Sequence, residues 1–258
     1  MKSNKLSILF AIFILLLLGS SITLNFLLFN RGKQYYLELN QTRLDPLGWN
    51  TYPLDSNPPP KTNSRVRFVF FGDSRAASWP SPDVQGYEFI NRGIGSQTSI
   101  QTIQRFEQHI KPLQPDVIVI QVGVNDLKTI PLFPKRKELT IADCKTNIQN
   151  IVENAKALGA VVILTPIFPV GDIPLERQPF WSDDVGLAIK DVNTYINSLS
   201  GENVILFDAF SVLFDEKGVV KRQYQKDELH LNSEGYKVLN QEFVQFINSL
   251  EFNRNVKR

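Results

Sequence analysis

The chain opens on a run of 24 uncharged positions with no polar face, Leu6–Phe29. At about 1.5 Å per residue this run predicts a helix of roughly 36 Å, long enough to cross the hydrocarbon core of a bilayer with some tilt. A core helix of a soluble domain carries one apolar stripe, and this run is apolar all round. Its densest part, Ile8–Leu18, followed by Gly19, Ser20 and Ser21, also has the form of a cleaved secretory signal. Apolarity resumes at Ile22, Leu24 and Phe26–Phe29, which a cleaved signal does not need, so an uncleaved anchor is favoured. Lys2 and Lys5 precede the run and Arg31 and Lys33 follow it, so flanking charge does not set its orientation. The short leading tail suits an amino terminus left inside and a remainder translocated out of the cytoplasm.

After the anchor the pattern changes twice. Residues 34–63 read as a connector, because Asp55-Ser-Asn-Pro-Pro-Pro60 is too stiff and too poor in N–H donors for a core strand. From residue 64 onward short apolar runs recur: Val66–Phe71, Val117–Val122, Val161–Thr165 and Val204–Phe207, with a weaker one at Tyr87–Ile90. Continuous apolar runs mark strands covered on both faces. Between them apolar residues recur at helical spacing. One face holds Ile100, Ile103, Phe106 and Ile110, and another Ile141, Cys144, Ile148, Ile151, Ala155 and Leu158. A third holds Val185, Ala188, Val192, Ile196 and Leu199, and a fourth Tyr236, Leu239, Phe243, Phe246 and Leu250. Strand–helix alternation with right-handed crossovers predicts an α/β domain of three layers around a mostly parallel sheet, residues 64–258, behind an anchor in residues 1–33.

Composition narrows the function. A net charge of +2 over 258 residues, with 21% charged, gives no basic patch of the kind a nucleic-acid binder carries. One cysteine excludes an internal disulfide, and two histidines beside it leave almost nothing for a zinc site.

In a parallel α/β sheet the active site lies outside the carboxyl ends of the strands, so the residues after each apolar run carry the chemistry. The first run ends in Gly72-Asp73-Ser74-Arg75. A serine in a tight strand-to-helix turn exposes its hydroxyl and keeps its own N–H near the positive end of a helix, which suits a nucleophile. The same serine would also serve as a plain helix N-cap. Asp227-Glu-Leu-His230 follows the last run. A turn can set Asp227 against one ring nitrogen of His230 and leave the other to take a proton from Ser74. A surface aspartate and a capping histidine are the alternative. The third run ends in Gly123-Val-Asn125-Asp126, where the Asn125 amide would donate to an oxyanion or simply form a turn. His109 sits on a helix and reads as structural, and Cys144 as a small core residue. Trp79, Phe168, Phe180 and Trp181 fall in loops, where they would line a pocket or pack locally. Thr98 stands where a dinucleotide fingerprint needs its third glycine, and neither a P-loop nor the Gly-x-Ser-x-Gly elbow occurs.

Four blocks in chain order, Gly72-Asp73-Ser74, the loop Asn91-Arg-Gly-Ile-Gly-Ser-Gln-Thr98 after the second run, Gly123-Val-Asn125-Asp126 and Asp227-Glu-Leu-His230, each after an apolar run, resemble those of the SGNH (GDSL-type) hydrolases: esterases, lipases and carbohydrate deacetylases. The resemblance spans residues 68–236 and implies a flavodoxin-like sandwich without cofactor. It assigns Ser74 as nucleophile, His230 as base and Asp227 as the triad acid, with the N–H groups of Ser74 and Ser96 and the Asn125 amide as oxyanion donors. Ser96 stands where the family usually has glycine, whose backbone angles serine adopts less cheaply. Arg75 stands where the family often has an apolar residue, and would either attract an anionic or sugar-rich substrate or lie on the surface. The resemblance implies an esterase acting on an acyl lipid or an acetylated glycan, with activity that rises as His230 loses its proton, and the N-terminal run would tether it to a membrane. An O-acyltransferase using the same triad on cell-envelope polysaccharide, or a non-catalytic carbohydrate-binding module, would share the motifs.

Overall fold

The computed structural model describes residues 2–52, 61, 65–250 and 252. The proline-rich stretch Asp55–Pro60 lies outside the described residues. The chain divides into two compact units, Met1–Pro46 and Leu47–Arg258.

The first unit is one long helix, α1 (Lys2–Leu44). Its segment Lys5–Leu44 is long and apolar enough to cross a membrane, and a signal sequence would pass the same test. The helix does not stop where the apolar run ends; it continues through Leu44, into residues that the sequence pattern reads as connector. No proline or glycine interrupts Lys33–Leu44, so nothing there breaks the helical ladder.

The second unit is built on five strands, β1 (Val66–Gly72), β2 (Tyr87–Gly93), β3 (Val117–Gln121), β4 (Val161–Leu164) and β5 (Val204–Leu206). All pairs are parallel, in the order β2-β1-β3-β4-β5, which is the flavodoxin-like order. Connecting helices are α2 (Ser74–Ala77), α3 (Ser99–Gln104), α4 (Phe106–His109), α5 (Val124–Leu127), α6 (Lys137–Ala157), α7 (Asp183–Ser198), α8 (Ala209–Leu213) and α9 (Ser233–Ser249).

Side chains that alternate along the strands feed two cores. Val69, Phe71, Ile118, Ile120, Val162 and Leu164 pack with Phe106 and with the buried faces of α6 and α7. Phe68, Phe70, Val117, Val119 and Ile163 pack with Trp79 and with Leu239, Phe243 and Ile247 of α9. Each strand therefore needs apolar residues at consecutive positions, which is why the pattern shows no alternation. At about 1.5–3 kcal/mol for each fully buried large apolar side chain, these two layers dominate the stability of the domain.

Two sequence expectations change, and one open alternative is resolved. The helix expected through Ile100–Ile110 breaks at Arg105, which leaves helical geometry (φ −96°, ψ 3°) between α3 and α4. Arg105 is fully buried, and its guanidinium donates to the carbonyls of Gly72 and Arg92, a contact a straight helix would not permit. Ile100 accordingly faces solvent. Of the two alternatives for Trp79 and Phe168, local packing is found: both are buried and their rings meet 5.8 Å apart in the second core. The folded unit begins before residue 64, since the Tyr52 hydroxyl donates to the Gly93 carbonyl and the Leu47 carbonyl accepts from Gln97.

Candidate active site

β1 and β3 lie side by side at the point where strand order reverses, and their carboxyl ends open the crevice where ligands bind in such sheets. Gly72 closes β1 with φ +152°, and a Cβ there would stand 1.8 Å from the Gln121 carbonyl oxygen of β3. Only glycine lets the chain turn this close to its neighbour. The next residue, Asp73, is the N-cap of α2, its carboxylate accepting from the Arg75 N–H at 2.9 Å. Because Asp73 does the capping, the Ser74 hydroxyl is left for another partner.

That partner comes from the far end of the chain. His230 Nε2 lies 2.9 Å from Ser74 Oγ, and His230 Nδ1 lies 2.8 and 2.9 Å from the two carboxylate oxygens of Asp227. Asp227 also accepts from the N–H groups of Leu229 and His230, so one carboxylate closes the turn and meets the ring. With Nδ1–H donating to Asp227, Nε2 carries the lone pair that faces Ser74. Burial would raise the Asp227 pKa, but the hydrogen bonds from Leu229 and His230 and the charge of His230 outweigh it and hold the carboxyl below its usual value. The side chains of His230 and Asp227 are 31% and 41% exposed, so the pair sits at an open rim.

The residues expected to hold an oxyanion come from the loops after β2 and β3. A Cβ built on Gly95 would stand 4.0 Å from the Ser74 Cβ, which sets the loop after β2 beside the serine. Ser96 is exposed and does adopt the left-handed backbone, φ 63°, that its glycine-like position demands. Serine is strained there by roughly 1 kcal/mol. Ser96→Gly is therefore expected to stabilise the domain by up to about 1 kcal/mol, read as a higher urea midpoint, and it keeps the backbone N–H at this position. An unchanged or lower midpoint would show that the strain is relieved elsewhere. Asn125 is buried, and its amide donates to the Gln97 carbonyl at 2.9 Å, which fixes the side chain and leaves Nδ2 a second N–H.

The family model of the GDSL-like lipase/acylhydrolase family matches residues 69–238, more than half of the chain. The chain belongs to this family. It is an ester-bond hydrolase of the SGNH type. Among curated proteins it is similar to an acetylxylan esterase of Geobacillus stearothermophilus, 25% identical over 172 residues that cover 63% of this chain and 73% of the relative. Among solved structures it is similar to a GDSL-like lipase from Bacteroides thetaiotaomicron, with a TM-score of 0.64 and 26% identity, covering 79% of this chain and 98% of the other. A lipase/acylhydrolase from Enterococcus faecalis shares the fold, with a TM-score of 0.55 and 20% identity, covering 71% of this chain and 96% of the other.

Ser99 and Asn147, outside the four blocks, brace the site together with Asp126 and Asn91. Asp126 accepts from the N–H and the hydroxyl of Ser99, at 2.9 and 2.6 Å, and Asn147 of α6 donates to the same hydroxyl. This tie holds the Asn125 turn against the start of α3. Asn91 donates to the carbonyls of Ala76 and Trp79 and accepts from the Gly93 N–H, which pins α2 to β2. Asp126 and Asn91 belong to blocks that the sequence singles out, whereas no local signal points to Ser99 or Asn147. His109 and Cys144 are buried, as their helical positions suggest. Arg75 is neither a surface residue nor open to substrate: it is 0% exposed. Phe180 is exposed, and Trp181 packs against the first core. Among the described residues no group of three or more His, Cys, Asp or Glu could hold a metal ion.

Asp73 is a charge held under strain. It is fully buried, and its Oδ2 has no hydrogen-bond partner. Burial pushes its pKa from 3.8 up to about 6, against the opposing charge and N–H of Arg75. Asp73 thus holds its proton more tightly folded than unfolded. Its favourable contribution is present below about pH 4 and lost as pH rises through about 6. Asp73→Asn keeps an N-cap acceptor and removes this dependence. Relative to wild type, its stability is expected to be about 3 kcal/mol higher at pH 7.5 than at pH 3.5, measured by urea unfolding at both. The same stability difference at both pH values would show that Asp73 does not titrate on folding.

Proposed function

We propose that this hydrolase is a membrane-tethered serine esterase, held by α1 with its catalytic domain outside the cytoplasm, that removes short acyl groups from carbohydrate. The observation that carries the reading is the 2.9 Å approach of His230 Nε2 to Ser74 Oγ with Asp227 on the opposite ring nitrogen. In the proposed reaction Ser74 Oγ attacks the ester carbonyl carbon as His230 Nε2 takes the hydroxyl proton. The carbonyl oxygen becomes an oxyanion, held by the N–H groups of Ser74 and Ser96 and the second N–H of the Asn125 amide. A donor of this kind is worth about 2.7–4 kcal/mol of transition-state stabilisation. The intermediate collapses, the alcohol leaves with the proton from His230, and the acyl group stays on Ser74. Water then gives a proton to His230 and attacks the acyl carbon, and the acid leaves as Ser74 regains its proton. Throughout, Asp227 holds the ring tautomer and stabilises the imidazolium.

Two observations support a carbohydrate ester over a lipid ester. The His230–Asp227 pair is partly exposed, which lets an ester on a bulky polymer reach it. The aromatic residues Trp79 and Phe168, which an acyl-chain pocket would use, are packed in the core instead. The similarity to an acetylxylan esterase points the same way. The test is kcat/KM of the full chain in detergent micelles for acetylated xylo-oligosaccharides and for esters of increasing acyl length. Acetyl esters are expected to be preferred, with free acetate as product. A preference for long acyl chains would overturn the substrate class, and acetyl transfer to the oligosaccharide in place of release would make the enzyme a transferase.

A further inference from the structure

We propose that Arg75 is a positioning residue that locks the Asp227–His230 loop onto the Ser74 turn. The inference rests on the triad reading above and adds to it a part with no counterpart in the motif itself.

Arg75 directly follows Ser74 in α2, and its side chain is fully buried. The guanidinium reaches loops far away in the chain. Nε donates to the Leu229 carbonyl at 2.7 Å, Nη1 to the Phe168 carbonyl at 2.8 Å, and Nη2 more weakly to the Pro169 carbonyl at 3.4 Å. Leu229 is the residue before His230. The result is a closed circuit: the Ser74 backbone leads to Arg75, the Arg75 side chain to Leu229, Leu229 to His230, and the His230 ring back to the Ser74 hydroxyl. Nucleophile and base are each one residue from an end of the same charge-assisted hydrogen bond.

The surroundings brace the circuit. The Phe168 ring lies 5.7 Å from the guanidinium carbon, and the Arg75 carbonyl accepts from the Tyr236 hydroxyl at 2.9 Å. The Gly171 N–H donates to the Glu228 carbonyl, so the loop after β4 and the His230 loop are also joined directly. Lysine would offer one compact ammonium, whereas the planar fork aims donors at carbonyls on two loops at once. Because Arg75 is shielded from solvent, its effect on catalysis passes through the groups it holds together, the His230 loop and the Ser74 turn. A displacement of about 1 Å at a catalytic group can cost on the order of 100-fold in rate.

The test uses the full chain in detergent micelles and the variants Arg75→Met, Arg75→Lys and Arg75→Ala. For each, kcat and KM on an acetyl ester are measured beside the melting temperature and the downfield proton NMR signal of the His230 Nδ1–H. That signal is assigned by its loss in Asp227→Asn. Below its melting temperature, Arg75→Met is expected to lose about 10- to 100-fold in kcat with KM within about threefold of wild type, and to lose the imidazole signal to solvent exchange. Arg75→Lys is expected to lose about tenfold, and added guanidinium ion to restore part of the kcat of Arg75→Ala without accelerating wild type. Folded variants with wild-type kcat and an intact signal would overturn the proposal, as would a lost kcat with the signal unchanged. If Arg75→Met does not fold, Arg75→Lys decides. The triad reading fails separately, when Ser74→Ala is as active as wild type; the His230 signal then still reports whether Arg75 holds the loop.

Discussion

Ser74→Ala is expected to lower kcat for ester hydrolysis by about 10⁴- to 10⁶-fold and to leave the fold intact. The two halves of this expectation have different causes. Catalysis is lost because the hydroxyl is the atom that would become acylated, and no neighbouring group replaces it; Cys144, the one thiol, is buried with its pKa pushed well up by burial. Folding is kept because Ser74 does little structural work. Asp73 caps α2, Gly72 makes the turn, and the hydroxyl meets only the half-buried His230 ring. Removing it costs one hydrogen bond with a partner that water can reach, about 0.5–1.5 kcal/mol at most. The check is kcat beside the thermal melt, with loss of labelling by a serine-reactive phosphonate. A variant that turns over like wild type would leave the Ser74–His230 contact without a catalytic meaning.

The separation of roles along Gly72-Asp73-Ser74-Arg75 was only partly legible in the sequence. The strand end, the turn and the serine follow from local rules, because a continuous apolar run must be a two-sided strand and a glycine must end it where backbones crowd. The same holds for Asp227 and His230, whose three-residue spacing is a turn that one carboxylate can close. Arg75 and Arg105 escaped such rules. Each is a fully buried cation with acceptors on segments remote in sequence, such as Leu229 and Phe168 for Arg75 and Gly72 and Arg92 for Arg105. Arginine is normally read as exposed, and no periodicity announces which carbonyls will be left to receive it. The break at Arg105 hides for the same reason, since Ile100, Ile103, Phe106 and Ile110 keep helical spacing across it. Trp79 and Phe168 lie outside regular elements yet complete the second core, so position in a loop did not mean exposure. The start of the folded unit at Leu47 also carries no apolar run; it is held by hydrogen bonds to Gly93 and Gln97 and by the Tyr52 ring against Arg92 and His109.

The site thus combines a motif-bearing rim with a buried polar frame beneath it. The rim residues Ser74, His230 and Asp227 are partly open to solvent, whereas Asp73, Arg75, Arg105, Asn125 and Asp126 below them are buried. Rim substitutions are therefore expected to act on rate with little effect on stability, and frame substitutions on both. Asp227 tests this division most sharply, because it belongs to the rim and also closes a turn.

Asp227→Asn is expected to lower kcat by about 10⁴-fold while the melting temperature changes little. The asparagine oxygen can still accept from the N–H groups of Leu229 and His230, so the turn survives. What changes is the other side-chain atom. A carboxylate accepts at both oxygens and so requires a proton on His230 Nδ1; an amide presents a donor there and favours the ring with its proton on Nε2. That tautomer meets Ser74 with a hydrogen in place of a lone pair and cannot take the serine proton. The imidazolium that forms in the reaction also loses its counter-charge. Stability changes differently. Asp227 is held below its usual pKa, so its ionic contribution is present above the unfolded value and lost as pH falls through the folded one. The side chain is 41% exposed, so solvent screens much of that contribution, and its loss should be felt at neutral pH only weakly. Measured from pH 6 to 8, the rate deficit should persist in a protein that melts near the wild-type temperature. A folded variant with more than a tenth of wild-type kcat would show that His230 reaches its working tautomer without the carboxylate, and Asp227 would then be a turn residue alone.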